Sequence, residues 1–502
     1  TANEEHQKAY TFFVTEIQPK LAPIDDALNK KFIACPFHAA LEKEEAFAIH
    51  IRSVKSQLEL YREENIEIQA FLSEKTQEFG AISGAQSIEH DGESITMQKA
   101  GLYLKEQDER LRKSIFEKMA ARRSSDIAEL DTMFDILIQK RTELAKNAGF
   151  DNYRDYKFKE MGRFDYTKES CFEFHDSVEK HIVPLVKKIQ QERLSKMNKE
   201  IFRPWDTAVN AEGKAPLKPF ETAKEMLDGT IAVFEKINPE FSGFLKTMEE
   251  MKHFDLESKP GKAPGGYNYP LYETGAPFIF MNAVGSQGDV STMIHEGGHA
   301  IHSFLTHKLE LTAFKSFPSE IAELASMSME LLTMEHWDEF YDKVDDLNRA
   351  KKEQLQGTIT LLPWIAQIDA FQHWIYENHK HTAAERTAYW MELNKRFGTG
   401  LVDWKGYEET LASSWQRQMH LFEVPFYYIE YGIAQLGAIG VWKNSKINFK
   451  ESIENYRTAL GLGYTKSMPE VYAQAGIDFK FSGDHICMLA DFVASELEKL
   501  DA

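Results

Sequence analysis

Apolar residues along this chain recur mostly at steps of three and four. Between residues 125 and 149 they fall at Ile127, Leu130, Met133, Phe134, Leu137 and Leu144, with the aliphatic stem of Arg141 between the last two. One such stripe predicts an amphipathic helix with a single buried face. Asp126, with Glu129 three residues on, reads as its start signal, and Gly149 reads as its stop. Ser467-Met468-Pro469-Glu470 is a second capping box, with proline where a first turn tolerates it. The final stretch repeats the stripe at Ile486, Leu489, Phe492, Val493 and Leu497. Stripes of this kind predict core contacts, and the chain as a whole reads as mainly α.

Two regions break the helical pattern. Residues 203–220 (RPWDTAVNAEGKAPLKPF) are rich in Pro, Gly and Ala and predict an ordered loop between helices. Residues 261–289 contain GGYNYPLYE and PFIFMN, two strand candidates separated by Thr274-Gly275-Ala276-Pro277. No internal repeat or low-complexity tract is visible. The first 150 residues read as helical and carry no obvious chemistry, whereas the chemically informative residues follow Gly261. The expected division is an N-terminal helical region, 1–150, and a region carrying the chemistry, 151–502.

Composition narrows the class. With 502 residues, 43% hydrophobic and 27% charged, the chain has the profile of a globular protein and enough length to bury a large core. A net charge of −20 repels phosphate backbones, so nucleic acid is not an expected partner. The three cysteines, Cys35, Cys171 and Cys487, are scattered and odd in number. They suggest neither a disulfide framework nor a cysteine-based zinc site, and they fit a reducing compartment. The longest apolar run, residues 432–442, is too short to span a membrane and contains Gln435. The first ten residues, TANEEHQKAY, lack the basic start and apolar stretch of a signal peptide. The expectation is a cytoplasmic protein with no membrane partner.

The sharpest signal is His295-Glu296-Gly297-Gly298-His299, an HExxH motif. On a helix, positions i and i+4 share a face, so both imidazoles can close on one zinc ion. Glu296 is rotated about 100° from His295. It can reach the water that such an ion activates without being a ligand, which is the place for a general base. Gly297 and Gly298 each cost roughly 1 kcal/mol relative to Ala inside a helix. Two of them together make sense if another backbone or a substrate passes close by.

Catalytic zinc needs a third protein ligand. Position 305 is Leu, so the third histidine of the longer HExxHxxGxxH pattern is missing. His302 is better read as packing or as an outer neighbour of the site. Residues 318–330 offer Glu320, Glu323 and Glu330, of which Glu323 and Glu330 share a helical face. Spacing alone does not choose among them. A third cluster, HLFEVPFYYIEYG at 420–432, carries His420, Tyr428 and Tyr431. Amide hydrolysis builds negative charge on the carbonyl oxygen, and donors of this type stabilise it.

Together these segments resemble the M3 family of zinc oligopeptidases, most closely its oligoendopeptidase F branch. The resemblance rests on HEGGHAIH, on EIAELASMSMEL about 25 residues later, and on HLFEVPFYYIEYG. RPWD, GGYNY, PFIFMN and the C-terminal ALGLGYTKSMPEVYAQAGIDF add to it. It covers most of the chain from about residue 120 and, more weakly, the helical part before that. It implies a two-lobed, mainly α metallopeptidase with a small β-sheet beside the HExxH helix and a deep substrate channel. It implies one zinc ion held by His295, His299 and Glu323, with Glu296 as catalytic base and His420, Tyr428 and Tyr431 in the family's donor cluster. Glu330 is then left to hold a ligand imidazole.

The expected function is a zinc metalloendopeptidase that hydrolyses internal bonds of short peptides. PFIFMN is expected to pair with an extended substrate as an added strand. Two other classes stay open at this stage. One is a non-catalytic peptide-binding protein with a structural metal, in which Glu296 would have no task. The other is a zinc exopeptidase, which needs a charged group to hold a substrate terminus.

Overall fold

In the computed structural model, which describes residues 4–259, 262 and 265–501, the helix signals of the sequence turn into helices. The stripe after residue 125 forms Ile127–Asn147, with Leu130, Phe134, Leu137 and Leu144 buried. Gly149 ends it with φ +87°, and the Phe150 amide turns back to the Ala145 carbonyl at 3.0 Å. Asp126 stands at the N-cap but does not cap with its side chain, which instead receives Arg122 at 2.6 Å and Gln86 at 2.8 Å. Ser467 and Glu470 form the expected capping box. The last stripe lies on Gly483–Asp501 and buries Ile486, Leu489, Val493 and Leu497. Among the described residues the architecture is mainly helical with two small sheets. One connected hydrophobic core runs from Leu60 to Leu497.

The first 150 residues are not all helical. β1 (Ser87–His90) and β2 (Glu93–Thr96) form an antiparallel hairpin. Asp91 and Gly92 turn it with φ +53° and +82°, the left-handed pair that matches the twist of a two-residue hairpin. Residues 203–220 are the expected ordered loop. It is anchored by buried Asp206, which accepts from Arg112 at 2.8 Å and Lys199 at 2.7 Å.

The second sheet has three strands. β3 (Phe254–Glu257) pairs in parallel with β5 (Phe278–Ala283), and β4 (Tyr267–Tyr269) pairs antiparallel with β5 on its other side. Both predicted strands exist, but PFIFMN forms the centre of the sheet. On the β4 side, Phe278–Phe280 are already paired, so β5 offers no full edge for an added strand. The edge strands are β3 and β4. Gly261, where the second non-helical region was taken to begin, lies outside the described residues, as do 1–3, 260, 263, 264 and 502. No helix among the described residues is long and apolar enough to cross a membrane.

Candidate metal centre

The chain leaves β5 and enters the HExxH helix, Gln287–Thr306, through a capping box. Ser286 is the N-cap and Asp289 occupies its third position, accepting from the amides of Ser286 at 2.8 Å and Val284 at 2.9 Å. Asp289 thus helps to start the helix from one turn inside rather than from the cap. The helix packs against a second one, Ser319–Leu332, which carries the candidate acids. The two glycines explain how close they come. A Cβ on Gly298 would stand 2.6 Å from Ser326 Cα, and one on Gly297 would stand 2.8 Å from the Phe234 ring. The neighbour that the paired glycines require is therefore another helix backbone on one side and an aromatic ring on the other.

This approach brings His295, His299 and Glu323 together, with ligand atoms all within 4.8 Å of one another. Glu323 Oε2 lies 3.2 Å from His295 Nε2 and 3.7 Å from His299 Nε2. Glu330 sits on the far side of the His295 ring and accepts from Nδ1 at 2.7 Å. That bond orients the ring so that Nε2 faces Glu323. Glu330 is itself held by Gln354, whose Nε2 donates at 2.7 Å, and Gln354 Oε1 accepts from Ser291 at 2.7 Å. The donor set of two imidazoles and one carboxylate, with a second carboxylate orienting one imidazole, fits a zinc ion.

Electrostatics follow from burial. Burial opposes charge on His295, but Glu323 and Glu330 outweigh it and hold the ring well above its ordinary value. His299 is pushed down to about 4 by burial. Burial works to raise Glu323, yet the hydrogen bond from His295 and the two imidazoles bring it down to about 2. Burial pushes Glu296 up to about 7. Glu296 Oε2 makes no hydrogen bond in the protein although the residue is 5% exposed. A buried carboxylate oxygen without a partner, next to this candidate ligand set, is free to handle a proton.

β4 runs past this carboxyl. Asn268 Nδ2 donates to the Glu296 carbonyl at 3.4 Å, and a Cβ on Gly266 would lie 3.4 Å from Glu296 Oε1. Glu320 is buried elsewhere, where it accepts from the Tyr166 hydroxyl at 2.6 Å. His302 is fully buried and stacks on Phe317 with ring centres 3.5 Å apart, as a packing residue.

The aromatic cluster enters from a third helix, Tyr428–Ile447. Phe426, at φ +68°, turns the chain just ahead of it. Tyr427, which the sequence reading did not select, donates its hydroxyl to Glu323 Oε1 at 2.9 Å. Tyr431 Oη lies 3.5 Å from His420 Nε2, and the Tyr428 ring packs 4.9 Å from the His420 ring. The available signal for Tyr427 was its i, i+4 spacing from Tyr431, next to Pro425 as a helix stop.

His420 has a readable tautomer. Trp364 Nε1 donates to Gln418 Oε1 at 3.0 Å, so the Gln418 amide nitrogen faces His420 Nδ1 at 2.7 Å. Nδ1 is then the acceptor, and Nε2 carries the proton on the Tyr431 side. Burial pushes the ring down to about 4, so it stays neutral near pH 7 and still donates from Nε2.

Comparisons with known proteins identify the family and the fold. The sequence profile of peptidase family M3 matches residues 102–487, more than half of the chain. Oligopeptidase PepF of Bacillus subtilis (strain 168) is 26% identical over 296 residues, covering 56% of this chain and 42% of that protein. The plasmid oligoendopeptidase F of Lactococcus lactis subsp. cremoris is 26% identical over 292 residues, covering 56% of this chain and 46% of that protein. The matched stretch is thus less than half the length of either relative. The solved structure of PZ peptidase A with inhibitor 2 superposes with a TM-score of 0.94 at 27% identity, covering 99% of this chain and 88% of that one.

Proposed function

Because the chain belongs to peptidase family M3, we propose that it is a zinc metalloendopeptidase that hydrolyses internal bonds of short oligopeptides. The observation that carries this reading is the convergence of His295, His299 and Glu323 beside a buried Glu296 whose Oε2 has no partner. His295, His299 and Glu323 would hold one zinc ion at this centre. When bound, zinc polarises a carbonyl oxygen and lowers the pKa of water. Glu296 takes the proton of the attacking water and delivers it to the leaving amine. Its raised pKa, about 7, suits a group that must both accept and give a proton near neutrality.

His420 and Tyr431 donate to the oxygen on which charge develops. Gln418 keeps His420 in the donating tautomer, Tyr428 packs behind its ring, and Tyr427 steadies Glu323. An extended peptide lies along the edge strand β4, which runs beside Glu296, rather than along the central strand β5. Tyr267 and Tyr269, 50% and 62% exposed, flank that edge with aromatic surface. We place the enzyme in the cytoplasm, where its three free cysteines stay reduced.

The test is cleavage of an end-blocked, internally quenched peptide of about eight to ten residues, long enough to fill an extended site at roughly 3.3 Å per residue. Internal cleavage that a chelator abolishes and zinc restores is the expected result. Release of terminal residues alone from unblocked peptides, with the blocked peptide intact, would replace this reading with exopeptidase action.

A further inference from the structure

Behind the turn that presents the tyrosines lies a second group of reactive side chains, none of them used at His295. Cys171 and His175 are one turn apart on the helix Lys168–Ser177. Asp369 and His373 are one turn apart on the long helix Val344–Glu377. Each pair shares a helix face, and the two faces meet. Ligand atoms of Cys171, Asp369 and His373 all lie within 4.8 Å of one another. His175 joins them through Nε2, 2.8 Å from Asp369 Oδ2. None of the four is more than 3% exposed.

The group does not satisfy itself. Neither ring nitrogen of His373 makes a hydrogen bond, although Nε2 stands 3.3 Å from Asp369 Oδ2, and Asp369 Oδ1 has no partner. Buried polar atoms are nearly always paired in folded proteins. The walls around His373 are aromatic: Phe172, Phe426 and Phe158 lie 4.9, 5.4 and 5.8 Å from its ring centre. Orphaned nitrogen and oxygen atoms beside a thiol, buried among aromatic rings, make up a candidate metal-ligand set.

We propose that Cys171, Asp369 and His373 bind a second divalent ion of the zinc type, with His175 orienting Asp369. Thiolate and imidazole favour zinc or cobalt over magnesium or calcium. One thiolate and one carboxylate balance the charge of a dication, so the filled site carries no net charge into the core. Binding displaces the thiol proton of Cys171, which leaves to solvent. The hydrogen bond from His175 to Asp369 Oδ2 leaves Oδ1 for the ion. The scattered cysteines hid this set, because its two halves are separated by some 200 residues of chain. Phe426 packs on His373, and the next residue, Tyr427, bonds Glu323. The ion therefore braces the back of the turn that serves the first centre.

Cobalt(II) tests the proposal, because only a thiolate ligand gives sulfur-to-cobalt charge-transfer absorption in the near ultraviolet. The purified chain, stripped of metal and loaded with cobalt alone, should bind two ions and show that band. Cys171→Ser should keep one ion and lose the band. The double variant Cys35→Ser/Cys487→Ser, in which Cys171 is the sole thiol, should keep the band and decides the matter if Cys171→Ser fails to fold. The centre at His295 contains no sulfur, so the band is independent of the function proposed above, and His299→Ala should retain it. Cobalt uptake by the folded wild-type chain without the band, or a band that survives Cys171→Ser, overturns the proposal.

Discussion

Gly298 has no room for a side chain, because a Cβ there would stand 2.6 Å from Ser326 Cα on the neighbouring helix. The clash is with backbone, so no rotamer change relieves it. Gly298→Ala should push the Glu323 helix away from the two histidines. We expect a loss of about 1–3 kcal/mol in stability, with weaker metal retention in a chelator competition. Unchanged melting temperature and metal content would show that this contact does not set the spacing of the ligands.

Glu296→Gln keeps the shape of the side chain and removes its ability to take a proton. Metal content and fold should stay as in the wild type, while turnover of the quenched peptide falls by at least the about 10²–10⁴-fold typical of a general base. A variant that retains full activity refutes the assignment of the base.

Glu330→Gln removes the charge behind His295 but leaves an acceptor oxygen for Nδ1. Loss of such an outer partner typically costs about 10–100-fold in metal affinity. A chelator titration of the variant should shift by that order, with the peptide KM little changed. If the variant binds zinc as tightly as the wild type, Glu330 does not tune the centre.

Gln418 acts through His420. Gln418→Leu removes the donor to Nδ1, and the imidazole then divides between its two tautomers. We expect kcat to fall by less than the about 10²–10³-fold that follows loss of a whole oxyanion donor, with KM nearly constant. His420→Ala should show the larger loss. Equal losses in the two variants, or a change confined to KM, contradict the tautomer argument.

Glu423 provides a pH test outside the centre. Burial raises its carboxyl to about 6, above the 4.5 of the free group. Its neutral form is therefore favoured by folding, and the folded chain keeps the proton longer than the unfolded one. Stability falls as pH rises from 4.5 toward 6 and levels off above. Glu423→Gln should remove that slope and gain stability relative to the wild type at pH 7.5, measured by urea unfolding at both pH values. Parallel pH profiles for the two proteins would sink the idea.

Local chemistry was legible in the sequence, and non-local pairing was not. The HExxH spacing, the Ser467–Glu470 cap and the stripe after residue 125 need only neighbours within a turn, and each forms as read. The hairpin at Asp91-Gly92 was equally local, but its short strands lay inside a helical stretch and escaped a reading based on helical period. The place of PFIFMN at the sheet centre depends on β3, which arrives from 20 residues upstream, and no periodicity reports strand order. Glu323 could not be separated from Glu320 and Glu330 by spacing, because which face meets the histidines is decided by packing at Gly298. Tyr427 was missed for a related reason. The turn at Phe426 precedes the helix start, and it is the Tyr427 hydroxyl that reaches Glu323.

The glycine seams also bear on motion. A Cβ on Gly437 of the tyrosine helix would lie 2.7 Å from Leu324 Cδ1, beside Glu323, just as Gly298 meets Ser326 on the same helix. Three helices are thus packed tightly around one middle member, one seam at backbone distance and the other closed by the Leu324 side chain. They form a single stiff body, close-packed and of low compressibility. Motion along other boundaries of the molecule would leave the spacing between His295, His299 and Glu323 and the tyrosine hydroxyls unaltered.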